Sequence, residues 1–138
     1  MRIFLKYLFL LLAGGAMYSL IEIFSRGFSH ISMFICGGIC FILIGLLNEF
    51  KSINMSLLTQ MILGSLIITF FEFATGVIVN IWLKLNVWDY SSRPFNLLGQ
   101  ICLLFSVFWI FISLPAIFID DFFRFKFFNE ALPKYKFF

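Results

Sequence analysis

Residues 55–83 read MSLLTQMILGSLIITFFEFATGVIVNIWL, and this stretch decides the fold. Its first 17 positions belong to a longer run, residues 52–71, that holds no Asp, Glu, Lys or Arg. Roughly 18 or more apolar residues without charge mark a bilayer-spanning helix, since hydrocarbon leaves backbone polar groups no partner outside the segment. One acid, Glu72, interrupts the run near its middle. Wound at 100° per residue, Ser65, Thr69, Thr75, Gly76 and Asn80 fall on the side of Glu72. Leu63, Ile67, Phe70, Ala74, Val77 and Ile81 fall opposite, so a polar, small face is set against a lipid-facing one.

The same reading extends to both sides. Residues 4–24, 32–47 and 95–119 are further apolar segments, which predicts an all-α membrane protein, a four-transmembrane-helix bundle. The chain forms a single transmembrane domain over residues 1–138, with an aromatic interfacial segment at 120–138. Of its 138 residues, 62% are hydrophobic and 12% charged, about half the charge a water-facing surface uses. A soluble domain is excluded. The net charge of +3 comes with no basic stripe on a soluble face, so nucleic acid is not an expected partner. Cys36, Cys40 and Cys102 lie in apolar segments with no His nearby, which argues against a disulfide framework, a metal site or a cofactor. Arg2 and Lys6 followed by an apolar run resemble a signal peptide, but the run continues past Ala16 and is read as a first helix that stays.

Orientation follows from the basic residues. Arg2, Lys6, Lys51, Arg124, Lys126, Lys134 and Lys136 lie at the termini and in the second loop, whereas the first and third loops hold Arg26, Lys84 and Arg93. The asymmetry predicts a multi-pass protein of the bacterial cell membrane with both termini cytoplasmic. Trp82, Trp88 and Tyr90 are then expected in the outer aromatic belt. The Asp120–Phe128 stretch alternates charge with phenylalanine and is expected to lie along the interface, its basic residues toward anionic headgroups. Membrane lipids are therefore expected partners.

Polar residues inside the apolar segments are the candidate site. An intramembrane acid is expensive and usually functional, so Glu72 is a candidate proton, ion or substrate-group site; the alternative is a neutral carboxyl that bonds a neighbouring helix. Gly15, Tyr18, Ser19, Glu22 and Arg26 form a stripe on the first helix, with Glu22 and Arg26 placed to pair. The third loop brings Asp89 and Arg93, then Asn96 and Gln100 as the fourth helix begins, with Pro94 suited to its first turn. Glu22, Arg26, Glu72, Asn80, Asp89, Arg93, Asn96 and Gln100 are thus expected to line an outward-facing polar cavity. At least one acid–arginine contact between different segments is expected beneath the Trp88–Tyr90 turn. Gly99, Ser106 and Ser113 recur every seven residues and, with Gly37, Gly38 and Gly45, read as helix-packing positions. No Ser/His/Asp or Cys/His set is present and His30 stands alone in a loop, so no catalytic residue is assigned.

The stretch Val87-Trp88-Asp89-Tyr90 followed by Arg93-Pro94-Phe95-Asn96-Leu97-Leu98-Gly99-Gln100-Ile101-Cys102 resembles a signature of small bacterial membrane proteins, the putative type IV ABC-transporter permease family. Gly15–Glu22, Met33-Phe34 with Gly37-Gly38, Gly45–Glu49, and Glu72-Phe73 with Gly76 extend the resemblance along nearly the whole chain. It implies a transport component. The sequence holds no G-x-x-x-x-G-K-[ST] phosphate loop, so an ATPase would be a separate subunit, and four helices would enclose a path only as a homo-oligomer or with other membrane subunits. The competing readings are a noncatalytic accessory or assembly subunit and a membrane enzyme acting on lipid headgroups.

Overall fold

The computed structural model describes residues 1–47 and 55–137. Asn48, Glu49, Phe50 and Lys51, with the second loop they form, lie outside the described residues. Four α-helices run as α1 (Arg2–Arg26), α2 (Ile31–Leu46), α3 (Leu57–Gly76) and α4 (Leu103–Phe128). α3 is prolonged by a π-helical segment, Val77–Trp82. Three of these rods, α1, α3 with its extension, and α4, are long and apolar enough to cross a membrane. α2 has 16 residues, about 24 Å at 1.5 Å per residue, short of the roughly 30 Å hydrocarbon core.

α1 packs most extensively on α2 and α3 on α4, with α2 bridging the two pairs. Glycine permits the closest approach. A Cβ on Gly15 would stand 2.6 Å from the Phe34 carbonyl oxygen, and one on Gly38 would stand 2.5 Å from that of Leu11. Gly14 and Gly37 receive the Phe41 and Tyr18 side chains in the same reciprocal way. In a bilayer, packing rather than water exclusion holds helices together, so small residues matter here more than apolar bulk. Gly38→Ala is expected to cost about 1–3 kcal/mol by overpacking, measured as a lowered unfolding midpoint in detergent.

The outward faces are hydrocarbon. Ser65, Glu72 and Gly76 face inward and Phe70 and Ile81 outward as the helical wheel expects, but Leu63, Ile67, Ala74 and Val77 are half-buried, Ile67 against the core, and the exposed edge of α3 is Ile62, Leu66 and Phe70. Helix ends are satisfied individually. His30 caps α2, its Nδ1 accepting from the Ser32 N–H at 3.2 Å. Ser56 caps α3, and its N–H groups at Leu57 and Leu58 donate to the carbonyls of Lys136 and Phe137, which answers orphan donors of the first turn.

The fourth segment departs from its reading at both ends. The helix begins at Leu103, not Phe95. Residues 96–102 instead form a two-residue antiparallel ribbon, β1 (Asn96–Leu97) with β2 (Ile101–Cys102). Gly99 turns the ribbon at φ 74°, a conformation glycine adopts without a steric penalty, so it does not continue the Ser106–Ser113 helix face. Pro94 likewise sits in a turn rather than a helix. At the other end α4 runs past residue 119 to Phe128, closed by Asn129 in the left-handed region at φ 56°. Asp120, Asp121 and Arg124 are consequently buried within the bundle, so Arg124 does not turn outward to headgroups as expected, whereas Lys126 is exposed. Arg124 Nε donates to Asp120 Oδ2 at 2.9 Å and Tyr135 donates to Asp121 at 2.7 Å. Burial, then the bond to Asp121, pushes the Tyr135 phenol above its ordinary range, so it remains a donor.

Candidate functional site beneath a loop cap

Glu72 lies on the inward face of α3 and is 2% exposed. Its carboxylate accepts two side-chain hydrogen bonds, from Tyr90 Oη at 3.0 Å and from Trp109 Nε1 at 2.9 Å. Two neutral donors hold it, one from the third loop and one from α4. Trp109 is itself fixed by a stack on Tyr18 of α1, with ring centroids 5.6 Å apart. Below this layer Ser65 donates to the Ser106 carbonyl and Thr69 bonds the Ser106 hydroxyl at 2.9 Å. The polar face of α3 therefore meets the polar face of α4.

Residues 83–102 fold back over this layer as a cap. The π-helical segment and left-handed residues at Lys84 and Asn86 (φ 55° and 53°) turn the chain inward. Trp88 then enters the bundle, 5% exposed, and its indole N–H donates to the Gln100 carbonyl at 2.9 Å. Asn80 is the hinge pin: its amide donates to Gln100 Oε1 at 2.8 Å while its oxygen accepts from the Val87 N–H at 2.7 Å. Gly76 is needed beneath it, since a Cβ there would stand 2.5 Å from Gln100 Oε1 and 3.0 Å from the Trp88 ring. Arg26 ties the cap to α1, donating to Glu22 at 2.7 Å and to the Val87 carbonyl at 2.9 Å.

The eight candidate residues thus divide into two groups. Glu22, Arg26, Glu72, Asn80 and Gln100 converge on the cap and the layer below it. Asp89, Arg93 and Asn96 stay on the outer turn. Asp89 is exposed and accepts from the Ser91 N–H at 2.9 Å, and bonding to the Ser91 backbone and then its hydroxyl holds its carboxyl below the usual carboxylate range. Arg93 lies over the Phe105 ring at 5.0 Å, and Asn96 donates to the carbonyls of Arg93 and Ser91. The expected acid–arginine contact between segments is not formed there among the described residues. Arg26 instead pairs within its own helix and reaches the loop through a backbone carbonyl. Of the expected aromatic belt, Trp82 is 70% exposed, whereas Trp88 and Tyr90 serve the cap. Two site residues escaped the sequence reading. The sequence places Tyr90 in the aromatic belt and Trp109 between the packing positions Ser106 and Ser113, and nothing in spacing alone reveals that an aromatic side chain spends its polar atom on a carboxylate.

Residues 4–136 match the family described as Putative ABC-transporter type IV. The chain belongs to this family. The match takes in the cap, the Glu72 layer and all four helices of this Putative ABC-transporter type IV member. Comparison with curated proteins finds no match, and comparison with solved structures finds none either. Among the described residues no cluster of three His, Cys, Asp or Glu side chains suits a metal ion.

Proposed function

We propose that the chain is the membrane-embedded component of a transport system, spanning the bilayer four times with both termini in the cytoplasm, and that Glu72 is its proton- or cation-binding group under an outward cap. The observation that carries this reading is the setting of Glu72. Among the described residues, an acid 2% exposed on a membrane-crossing helix is held by the hydroxyl of Tyr90 and the indole of Trp109. Charge inside a bilayer is costly enough that such residues usually mark a pathway for ions, protons or substrate. A group needed only as glue would not require an acid, since serine and threonine already bridge α3 and α4 one layer below. Family membership supports a separate ATPase subunit as partner.

Complementation tests the reading. In a strain lacking the chain, the native protein should restore the lost phenotype, and Glu72→Gln should fail to restore it while reaching the membrane in native amounts. Restoration by Glu72→Gln would reduce Glu72 to a packing element and make the chain an accessory subunit.

A further inference from the structure

α1 and α4 converge where the N-terminal end of α1 meets the C-terminal end of α4 but leave a gap further along. Near the termini Phe9 packs edge-on to Phe123 at 5.3 Å and to Phe127 at 5.5 Å, and Lys6 pairs with Glu130 at 2.6 Å. Further in, a crevice of about 190 Å³ opens between the two helices. Met17 and Ile21 of α1, Phe41 and Ile44 of α2, and Ile112 and Ala116 of α4 line it. The stacked Tyr18 and Trp109 rings also form part of its wall. An apolar cavity of about 150 Å³ stays dry yet accepts a benzene-sized guest, so a crevice of this size and lining at bilayer depth takes hydrocarbon, not water.

The charge around its terminal end narrows the choice of hydrocarbon. Arg2, the first residue of α1, and Lys126, in the last turn of α4, are exposed at that end of the two helices. The acids on that face are turned to internal partners: Asp120 to Arg124, Asp121 to Tyr135, and Glu130 to Lys6. Among the described residues, exposed charge on this face is therefore basic. We infer that the crevice is a binding slot for one acyl chain of an anionic phospholipid, drawn from the leaflet on the side of the termini, with its phosphate held by Arg2 and Lys126. The inference stands apart from the transport reading, since it uses neither Glu72 nor the cap.

Trp109 forms part of the slot wall, which makes it the reporter. A Trp82→Phe chain retains emission only from Trp109 and from Trp88, which is shielded beneath the cap at the far face. Reconstituted in phosphatidylcholine vesicles, it is titrated with phosphatidylglycerol bearing brominated acyl chains, and separately with brominated phosphatidylcholine. A bound chain predicts saturable quenching, with half-effect at a mole fraction about fivefold lower for the anionic lipid per engaged basic residue. Ala116→Phe fills the slot and should remove the saturable part. Arg2→Gln with Lys126→Gln, both at exposed positions, should bring the anionic curve onto the zwitterionic one. Quenching that rises only in proportion to mole fraction overturns the proposal. So does equal quenching by both lipids in the chain with Arg2 and Lys126 intact, or saturable quenching that a folded Ala116→Phe chain retains.

Discussion

Arg124→Ala is expected to lower stability by about 3–5 kcal/mol, because it removes a paired, hydrogen-bonded cation from beside a carboxylate taken wholly out of solvent. Asp120 has no exposed surface and Arg124 has 2%. Besides the 2.9 Å bond to Asp120, the guanidinium stands 3.6 Å from Glu130 and lies over the Tyr7 ring at 5.8 Å. One side chain therefore joins α4, the segment after it and the start of α1. Arg124→Lys keeps the charge but loses the planar fork, so an intermediate loss is expected. Unfolding midpoints in detergent and the amount of protein in the membrane measure both. A native midpoint for Arg124→Ala would show that the terminal end of the bundle is held without this guanidinium, by its aromatic contacts and its other polar ties.

Trp109 carries the second large effect, and two substitutions separate its two roles. Trp109→Phe keeps a ring against Tyr18 but removes the N–H bonded to Glu72, a charge-assisted bond whose loss costs about 1.5–3 kcal/mol. Trp109→Ala loses the ring as well and merges its volume with the adjacent crevice, for a total of about 3–5 kcal/mol. The gap between the variants reports packing, and the deficit of the Phe variant reports the bond. Denaturant titration followed by circular dichroism would measure each. Equal stability of Trp109→Phe and the native chain would mean that the indole N–H does not hold the carboxylate.

These two residues also mark where the sequence was and was not legible. The inward face of α3 could be read because its polar and small residues recur at helical spacing and nothing interrupts them. The start of α4 could not, because residues 95–102 carry no charge and run without a break into the uncharged stretch 103–119. What breaks the helix there is backbone: Phe95 and Leu98 take φ of 55° and 54° beside Gly99, and a hydropathy pattern does not record dihedral angles. The end of α4 misled for the opposite reason. Charges at 120, 121 and 124 signal an interface when each is weighed singly, yet Asp120 and Arg124 are four residues apart, the spacing at which a helix pairs them. Paired, they can be buried. Glu72 was found as an isolated acid in an apolar run, but its donors come from a loop and another helix, and such contacts have no sequence period.

The two donors on Glu72 are unlike in one respect that governs what a proton can do there. An indole N–H only donates, whereas a phenol can donate or accept. An ionised Glu72 accepts from both. A neutral Glu72 must keep its carbonyl oxygen toward Trp109 and turn its new O–H toward Tyr90, whose hydroxyl then reverses from donor to acceptor. No heavy atom has to move, and the cap stays tied in either state. Protonation thus changes the polarity of the latch without releasing it. The direction of that one hydroxyl is all that changes, while the Asn80–Gln100 and Arg26–Val87 ties hold the cap independently of it.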